Sequence, residues 1–518
     1  MKFIRNILIS ILLVIITSIA VLWAVTYFVQ PATFKLIAKK QLSSLTHQDS
    51  AIEGNINWRI FPRPGLHLTK VRIGDVNKTD GDYALLVDNL TFHVQFMPLL
   101  QGQLVFDKLI LNGFTLRINL DKKASGTPTP TQKKQVSPKK ISTALPTHVA
   151  LKSLLLTNGQ ILFVQKNEQM LLKNVRLEAE LPKTNHEQFP IQLKANIQKK
   201  SDALSLSGTL NYKGLLKLPP LNTTNTQLEN LELDGQTAFQ NIHLNDYDIT
   251  EANAHTFYRN GKLILNPLTL SLYNGESVGQ LIYQLKTSAL SFNQNGTGLN
   301  AEPVFQHVLD MRPSHLTGTL DFSITAAAQL NLVDWHKKIQ ANGNFTMHNG
   351  TLAYINLPAI TAEATKTIKT LASQNIENIQ QALSHFKPWR LNDYSGNTAF
   401  ELFNFQYQLN GDNTLIYNLL LETKKLNLKG QGHLNLETEA IQAHLTAYII
   451  TNDKTTQAIQ LLLGHGFPLL VTGTLSHPLI NADTHILKSI ISSDALPKAL
   501  IKPLNKLKSH INKKLNAE

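Results

Sequence analysis

The chain of 518 residues contains no cysteine. That excludes disulfide scaffolds, zinc ribbons, iron–sulfur clusters and thiol nucleophiles together. It also leaves the chain free to fold in an oxidising or a reducing compartment. Charge is scarce: 16% of residues are charged, against roughly 25% in an average soluble protein. Disorder requires low hydrophobicity with high charge, and with 42% apolar residues most of this chain folds. A mean hydropathy of −0.11 excludes a polytopic membrane protein. No Walker loop and no dinucleotide fingerprint occur. The 18 histidines are scattered, with no pair at the short spacing of a local metal site. Asp and Glu form no cluster that suggests a carboxylate dyad, and no cofactor is expected. At about 150 residues per domain, the length allows three or four domains.

The net charge is +13, and it is localised. Residues 121–140 hold six lysines against Asp121, and residues 484–518 hold seven against Asp494 and Glu518. These two segments supply ten of the thirteen charges. A nucleic-acid protein would spread basic residues over a folded face with interleaved aromatics. The middle of this chain is nearly neutral, which favours an anionic membrane surface as partner and argues against nucleic acid.

One long apolar run is present. Ile7 to Val29 is 23 residues without a charge. As a helix at about 1.5 Å per residue it reaches roughly 34 Å, enough to cross a hydrocarbon core of about 30 Å. Trp23 and Tyr27 stand near its far end, where amphipathic rings favour the interface. A signal peptide has a shorter apolar region and a small-residue cleavage site, so the run reads as an uncleaved anchor. Lys2 and Arg5 precede it and Lys35, Lys39 and Lys40 follow it, so flanking charge does not decide orientation.

The body reads as strands. Ile56, Trp58 and Ile60 alternate with polar residues, as do Leu90, Phe92, Val94 and Phe96, then Leu116, Ile118 and Leu120. Later, Leu426, Leu428, Leu434 and Leu436 share one phase, and after a turn near Thr438 the pattern resumes at Ile441, Ala443 and Leu445. Apolar residues at every second position line one face of a sheet, and such pairs predict antiparallel hairpins. Gly followed one residue later by Leu or Ile recurs at Gly102, Gly159, Gly208, Gly279, Gly318, Gly350, Gly432 and Gly473, without a fixed period. Glycine inside a strand marks a bulge, a bend or close backbone approach. About 25 strands are expected at roughly 14 residues per strand and turn.

Few helices are predicted: an amphipathic one over 361–386, ending before Pro388, and short ones over 302–310 and 453–463. The segment 121–147 is rich in Lys, Pro, Thr and Ser and reads as a disordered linker. The organisation is therefore residues 1–6, a transmembrane helix over 7–29, a β region over 30–120, the linker, a β body over 148–483, and a basic helical tail over 484–518.

One catalytic pattern appears. Gly275-Glu276-Ser277-Val278-Gly279 matches the serine nucleophile elbow, in which a strand turns sharply into a helix. Here Leu281, Tyr283 and Leu285 continue with period two, so the match reads as a β-turn at Asn274-Gly275 between strands. The chain is not expected to be an enzyme.

The stretch from Gly54 to Gly74, with Trp58, Pro64, Gly65-Leu66-His67-Leu68 and Val71-Arg72-Ile73-Gly74, resembles the amino-terminal signature of the AsmA family. Asn344 to Leu352, Thr398 to Phe400, Leu428 to Leu434 and Phe467 to Leu475, with Pro478 and Asp483, resemble its carboxy-terminal block. The Leu272-Tyr273-Asn274-Gly275 turn also fits. His47-Gln48-Asp49 stands where the family usually has Gly-Arg, and the usual Asn-Trp after the first β block is absent.

The resemblance implies a mainly β protein of a Gram-negative envelope. An N-terminal transmembrane helix, with residues 1–6 cytoplasmic, would anchor it in the inner membrane. An elongated, curved antiparallel β-sheet groove with a few amphipathic helices would lie in the periplasm. The implied role is the movement of phospholipids toward the outer membrane, supporting outer-membrane homeostasis. The residues agree, because a sheet with one apolar face must cover it, and acyl chains can do so. The expected lipid-facing residues are Ile56, Trp58, Ile60, Leu90, Phe92, Val94, Phe96, Leu116, Ile118, Leu426, Leu428, Leu434, Leu436 and Leu445, with Ile7 and Val29 ending the anchor. Two alternatives stay open: faces packed together as a sandwich or barrel, and a scaffold that binds other envelope proteins.

Overall fold

The computed structural model describes residues 49–59, 63–74, 83–95, 97–98, 104–119, 147–165, 168–182, 187–200, 205–218, 231–245, 247–308, 316–330, 335–372, 389–390, 396–411, 414–463, 466–474, 477–483 and 485. The expected span from Ile7 to Val29, Ile60, Phe96, most of the linker and nearly all of the basic tail lie outside them. Among the described residues no helix is long and apolar enough to cross a membrane. The chain divides into two units, one ending at Leu265 and one beginning at Asn266.

In the first unit lie β1 (Ser50–Ile52), β2 (Ile56–Arg59), β3 (Gly65–Ile73), β4 (Tyr83–Val94), β5 (Leu104–Asn119), β6 (Thr147–Gln165), β7 (Glu168–Glu180), β8 (Phe189–Lys200), β9 (Ser205–Lys217), β10 (Glu232–Leu244) and β11 (Tyr247–Arg259). Each pairs with its successor from β3 onward, while β1 and β2 both pair with β3. The strand β12 (Lys262–Leu272) contains the division between units.

The expectation of a purely antiparallel sheet needs one correction. β5 and β6 are parallel, with Leu104 opposite Thr147 and Asn119 opposite Val164. Parallel neighbours need a long return crossing, which a tight turn cannot supply. The 27 residues between Asn119 and Thr147 supply that length.

Strict period two also fails at one place per strand. In β3 the apolar phase changes between Leu68 and Val71, in β4 between Leu90 and Val87, and in β5 between Leu111 and Phe114. Lys70 (φ 50°), Gly113 (φ 68°), Asn158 (φ 53°) and Asn174 (φ 52°) occupy the left-handed region at this line. A residue there turns the strand by one position and keeps the apolar side chains on one face. Asn tolerates that region better than most residues. At Gly113 a Cβ would stand 2.5 Å from Asp88 Oδ2 on the neighbouring strand.

In the second unit lie β13 (Gly275–Gln284), β14 (Ala289–Asn300), α1 (Ala301–Val308), β15 (Leu316–Gln329), β16 (Gln340–Leu352), α2 (Leu357–Ala372), β17 (Trp389–Arg390), β18 (Thr398–Asn410), β19 (Thr414–Glu422), β20 (Leu426–Asn435), β21 (Ile441–Ile449), α3 (Lys454–Leu462), β22 (Phe467–Gly473) and β23 (Pro478–Ala482). The pairings run β13 through β16, then β18 through β23, all antiparallel, and β17 adds to β23. The described strands of each unit form one open layer, without the second sheet of a sandwich.

The helices begin where side chains accept the free N–H groups of the first turn. Asn300 Oδ1 accepts from Glu302 N at 3.2 Å, Asn356 Oδ1 from Ala359 N at 3.0 Å and Asp453 Oδ2 from Thr456 N at 3.2 Å. The middle helix thus starts at Leu357, four residues before the expected Thr361, because Pro358 is harmless in a first turn. Its expected continuation to Phe386 lies outside the described residues. The turn near Thr438 is built by Asn435 Oδ1, which accepts from Glu437 N and Thr438 N.

Candidate apolar binding face

Register turns the strand pattern into continuous rows. In the first unit one row crosses nine strands: Leu66, Phe92, Leu109, Leu154, Ala179, Ile191, Gly214, Gly235 and Thr256. Beside it runs Leu68, Leu90, Leu111, Leu156, Leu177, Leu193, Tyr212, Thr237 and Ala254. Beyond the phase change, Val71, Val87, Phe114, Gly159 and Val175 form a third. Burial along this face is uneven. Leu66, Val87 and Val175 are at most 1% exposed, whereas Leu210 on β9 and Phe239, Ile242 and Leu244 on β10 are half-exposed.

The second unit has the same construction with rings. Its rows are Gly296, Phe322, Phe345, Phe405, Leu419, Gly430, Leu445, Leu469 and Ala482, and beside them Gln294, Ile324, Gly343, Tyr407, Tyr417, Gly432, Ala443, Val471 and Ile480. Phe345 and Tyr407 stack at 5.3 Å, and Phe405 and Tyr417 at 5.0 Å. Burial pushes the Tyr407 and Tyr417 phenols up to about 12. Helices cover one side of this face: α1 packs on β15, α2 on β20 and α3 on β21. Phe305 of α1 and Ile360 of α2 join Leu320 and Met347 in one core. Gln460 of α3 is fully buried and bonds both backbone groups of Ile449, its Nε2 donating to Ile449 O at 3.0 Å. Phe322, Phe345, Phe403, Phe405 and Tyr407 remain half-buried.

Two of the recurring glycines, Gly159 and Gly350, sit under rings. A Cβ on Gly159 would lie 1.9 Å from Phe114 Cε1, and one on Gly350 2.2 Å from Phe400 Cζ. Close approach is therefore the reason for those two glycines, and an aromatic ring laid over a strand glycine restores the missing side-chain contact.

The expected site residues that are described fall onto these faces. Ile56 stands opposite Leu68, and Leu90 and Phe92 lie in the first two rows. Leu116 and Ile118 extend the face, opposite Leu85 and Tyr83. Val94 is buried opposite Phe106, after a bulge at Asp107. Trp58 is opposite Leu66 in the backbone ladder. Leu426, Leu428, Leu434 and Leu445 lie on the second face. Leu436 does not: it follows the end of β20 and is 48% exposed. The aromatic ladder was missed, although Phe403, Phe405 and Tyr407 alternate in the sequence with period two.

Tyr273 (φ 48°) and Asn274 (φ 65°) make the tight turn between β12 and β13, one residue before the expected Asn274-Gly275, because Gly275 already belongs to β13. Ser277 lies within β13 and is 1% exposed, opposite Gly296. Its strand continues to Gln284, so the elbow geometry is absent at this motif.

Residues 1–247 match the profile of the AsmA family. Over those residues, just under half of its length, the chain is similar to the AsmA family. It is also similar to Protein AsmA of Escherichia coli (strain K12), with 21% identity over 209 residues. That match covers 40% of this chain and 34% of the relative. No solved structure matches.

Proposed function

We propose that this chain carries phospholipids, holding their acyl chains against the apolar rows of its sheets. The observation that supports this most is the continuity of those rows across nine strands, with half-buried rings left on the second face. Burying each CH₂ is worth about 0.8 kcal/mol, so acyl chains supply the drive without specific contacts. Strands spaced about 4.8 Å apart give a smooth track. The run from Ile7 to Val29 tethers the chain to the inner membrane, with its bulk in the periplasm as an elongated groove. The reading needs no cofactor and no chemistry, and its partners are membrane phospholipids, with other envelope proteins as alternative.

The test is photo-crosslinking in cells. A photoreactive residue at Phe405 or Phe92 captures phospholipid, and one at Gln406 or Thr91, on the opposite faces, does not. Equal capture at both positions of a pair means membrane proximity alone. Capture of protein only means that the face serves a scaffold. A reporter active only outside the cytoplasm, fused after Glu518, tests the topology: it is expected to be active.

A further inference from the structure

The ends of β3, β4 and β5 enclose a second feature. A cavity of about 450 Å³ is lined by Arg63, His93, Gln95, Asp107 and Met97, with Pro64, Val94 and Pro98 as walls. The register explains the opening. His93 stands opposite Gly65 on one side and Lys108 on the other, so one neighbour of the imidazole brings no side chain. The bulge at Asp107 then breaks the ladder before Val94 pairs with Phe106. Pro64 accepts from Val94 N at 2.9 Å and closes the edge.

The chemistry of this pocket is anionic recognition. The Nδ1 atom of His93 is buried and lacks a hydrogen-bond partner. Leaving such a group unpaired is costly, and a ligand atom would relieve it. Arg63 and Asp107 line the cavity with His93, and Lys108, opposite His93 on β5, and Arg59 add positive potential at the imidazole from outside the lining. Burial first, then Lys108, holds His93 below its ordinary value, so the neutral ring keeps one N–H donor and one acceptor nitrogen. A guanidinium fork and an imidazole in the lining, with the Lys108 ammonium on the neighbouring strand, match a tetrahedral group with several acceptor oxygens. Val94 lines the cavity, and its partner Phe106 lies 5.3 Å from Phe92 on the apolar row. Met97, 69% exposed, adds apolar surface at the rim.

We propose that this cavity binds a phosphate ester, the head of a phospholipid whose chains pass over Val94 toward Phe92, or a free phosphate. The lipid form rests on the carriage reading above. The site is a docking point where a lipid head is held as its tails enter the first face.

The test uses the full chain in mild detergent, titrated calorimetrically with dihexanoyl phosphatidylglycerol, inorganic phosphate and dihexanoylglycerol. The phosphatidylglycerol is expected to bind and the phosphate-free diacylglycerol to bind more weakly. Arg63→Gln weakens phosphatidylglycerol by about tenfold or more, while Arg63→Lys retains more binding, and unchanged thermal melts show that the fold persists. An anion beside His93 raises its proton affinity against Lys108, Arg59 and Arg63. Binding therefore tightens as pH falls from about 8 to 5, and His93→Gln flattens that profile. Phosphate binding that Arg63→Gln abolishes, without lipid binding, supports the phosphate site and defeats the carriage reading. Equal binding of both lipids, unchanged in Arg63→Gln and His93→Gln, overturns the site and leaves carriage standing.

Discussion

The apolar rows of the first unit are mainly aliphatic, with Phe92, Phe114 and Tyr212 spaced among them, whereas those of the second unit gather five rings on β15 to β19, Phe322, Phe345, Phe405, Tyr407 and Tyr417, among aliphatic neighbours. Leu66, Leu68, Val71, Val87 and Val175 are almost wholly buried in the first. In the second, deep burial is concentrated at Leu299, Leu320 and Met347, in one core with residues of α1 and α2. Phe345, farther along β16, and Phe405 and Tyr407 on the neighbouring β18 stay half-buried. The difference teaches how one strand pattern yields two surfaces. Branched and straight aliphatic chains pack densely, and each loses contacts when a neighbour is removed. Rings cover more area per residue and stack on glycine backbone, so a face can stay smooth while still partly open.

Deleting a ring in each unit breaks or sharpens this comparison most strongly. Phe114 is 4% exposed and lies over Gly159. Phe114→Ala is expected to cost about 3–5 kcal/mol, as buried aromatic truncations do. Phe405→Ala removes a half-buried ring and is expected to cost about 1–2 kcal/mol, while reducing lipid capture. Urea unfolding midpoints measure both. Equal losses would mean that the second face is as tightly filled as the first.

Alkaline pH addresses the second face directly. Tyr407 and Tyr417 have an ordinary value of 10.0 and are raised by burial to about 12. Below the lower value both folded and unfolded chains keep the protons. Between the two values only the folded chain keeps them, so stability falls as pH rises through this window. The loss is on the order of 2 kcal/mol per phenol. Phenolate absorbance followed against pH, together with a melting curve, checks it. Ionisation of all tyrosines near the lower value, with no fall in melting temperature, would show that the ladder is solvated.

The smallest effect belongs to Ser277. Its buried Oγ has no hydrogen-bond partner, so Ser277→Ala is expected to raise stability by up to about 1 kcal/mol and to leave envelope function intact. Loss of function equal to deletion would return the serine to consideration as a nucleophile.

Much of the sheet was legible because side chains alternate across a strand whatever lies next to it. The phases of Leu90 with Phe92, and of Leu426 with Leu428, are local properties and survive in the rows. The hairpin between β12 and β13 was legible to within one residue, since Asn274 carries its own turn preference, but Tyr273 took the place expected of Gly275. The helix over 357–372 was legible in its periodicity but not at its start, because Asn356 and Pro358 set the first turn. Leu436 shows the limit of phase counting, because the Asn435 turn ends the strand before it.

By itself the amino-acid sequence determined that one side of these strands is apolar, that glycines recur within them and that no cysteine chemistry supports the fold. Only the tertiary structure decided which strands are neighbours. The parallel pairing of β5 with β6 is such a decision, since the ladder joins residues more than forty positions apart, as Leu104 with Thr147. The left-handed residues from Lys70 to Asn174 are another. Each looks like a local lapse in alternation, and only register aligns them into one line. The cavity at His93 follows the same logic. A glycine at 65, a bulge at Asp107 and lysine at 108 are remote in sequence from one another or from His93, and cross-strand pairing alone brings them around one imidazole.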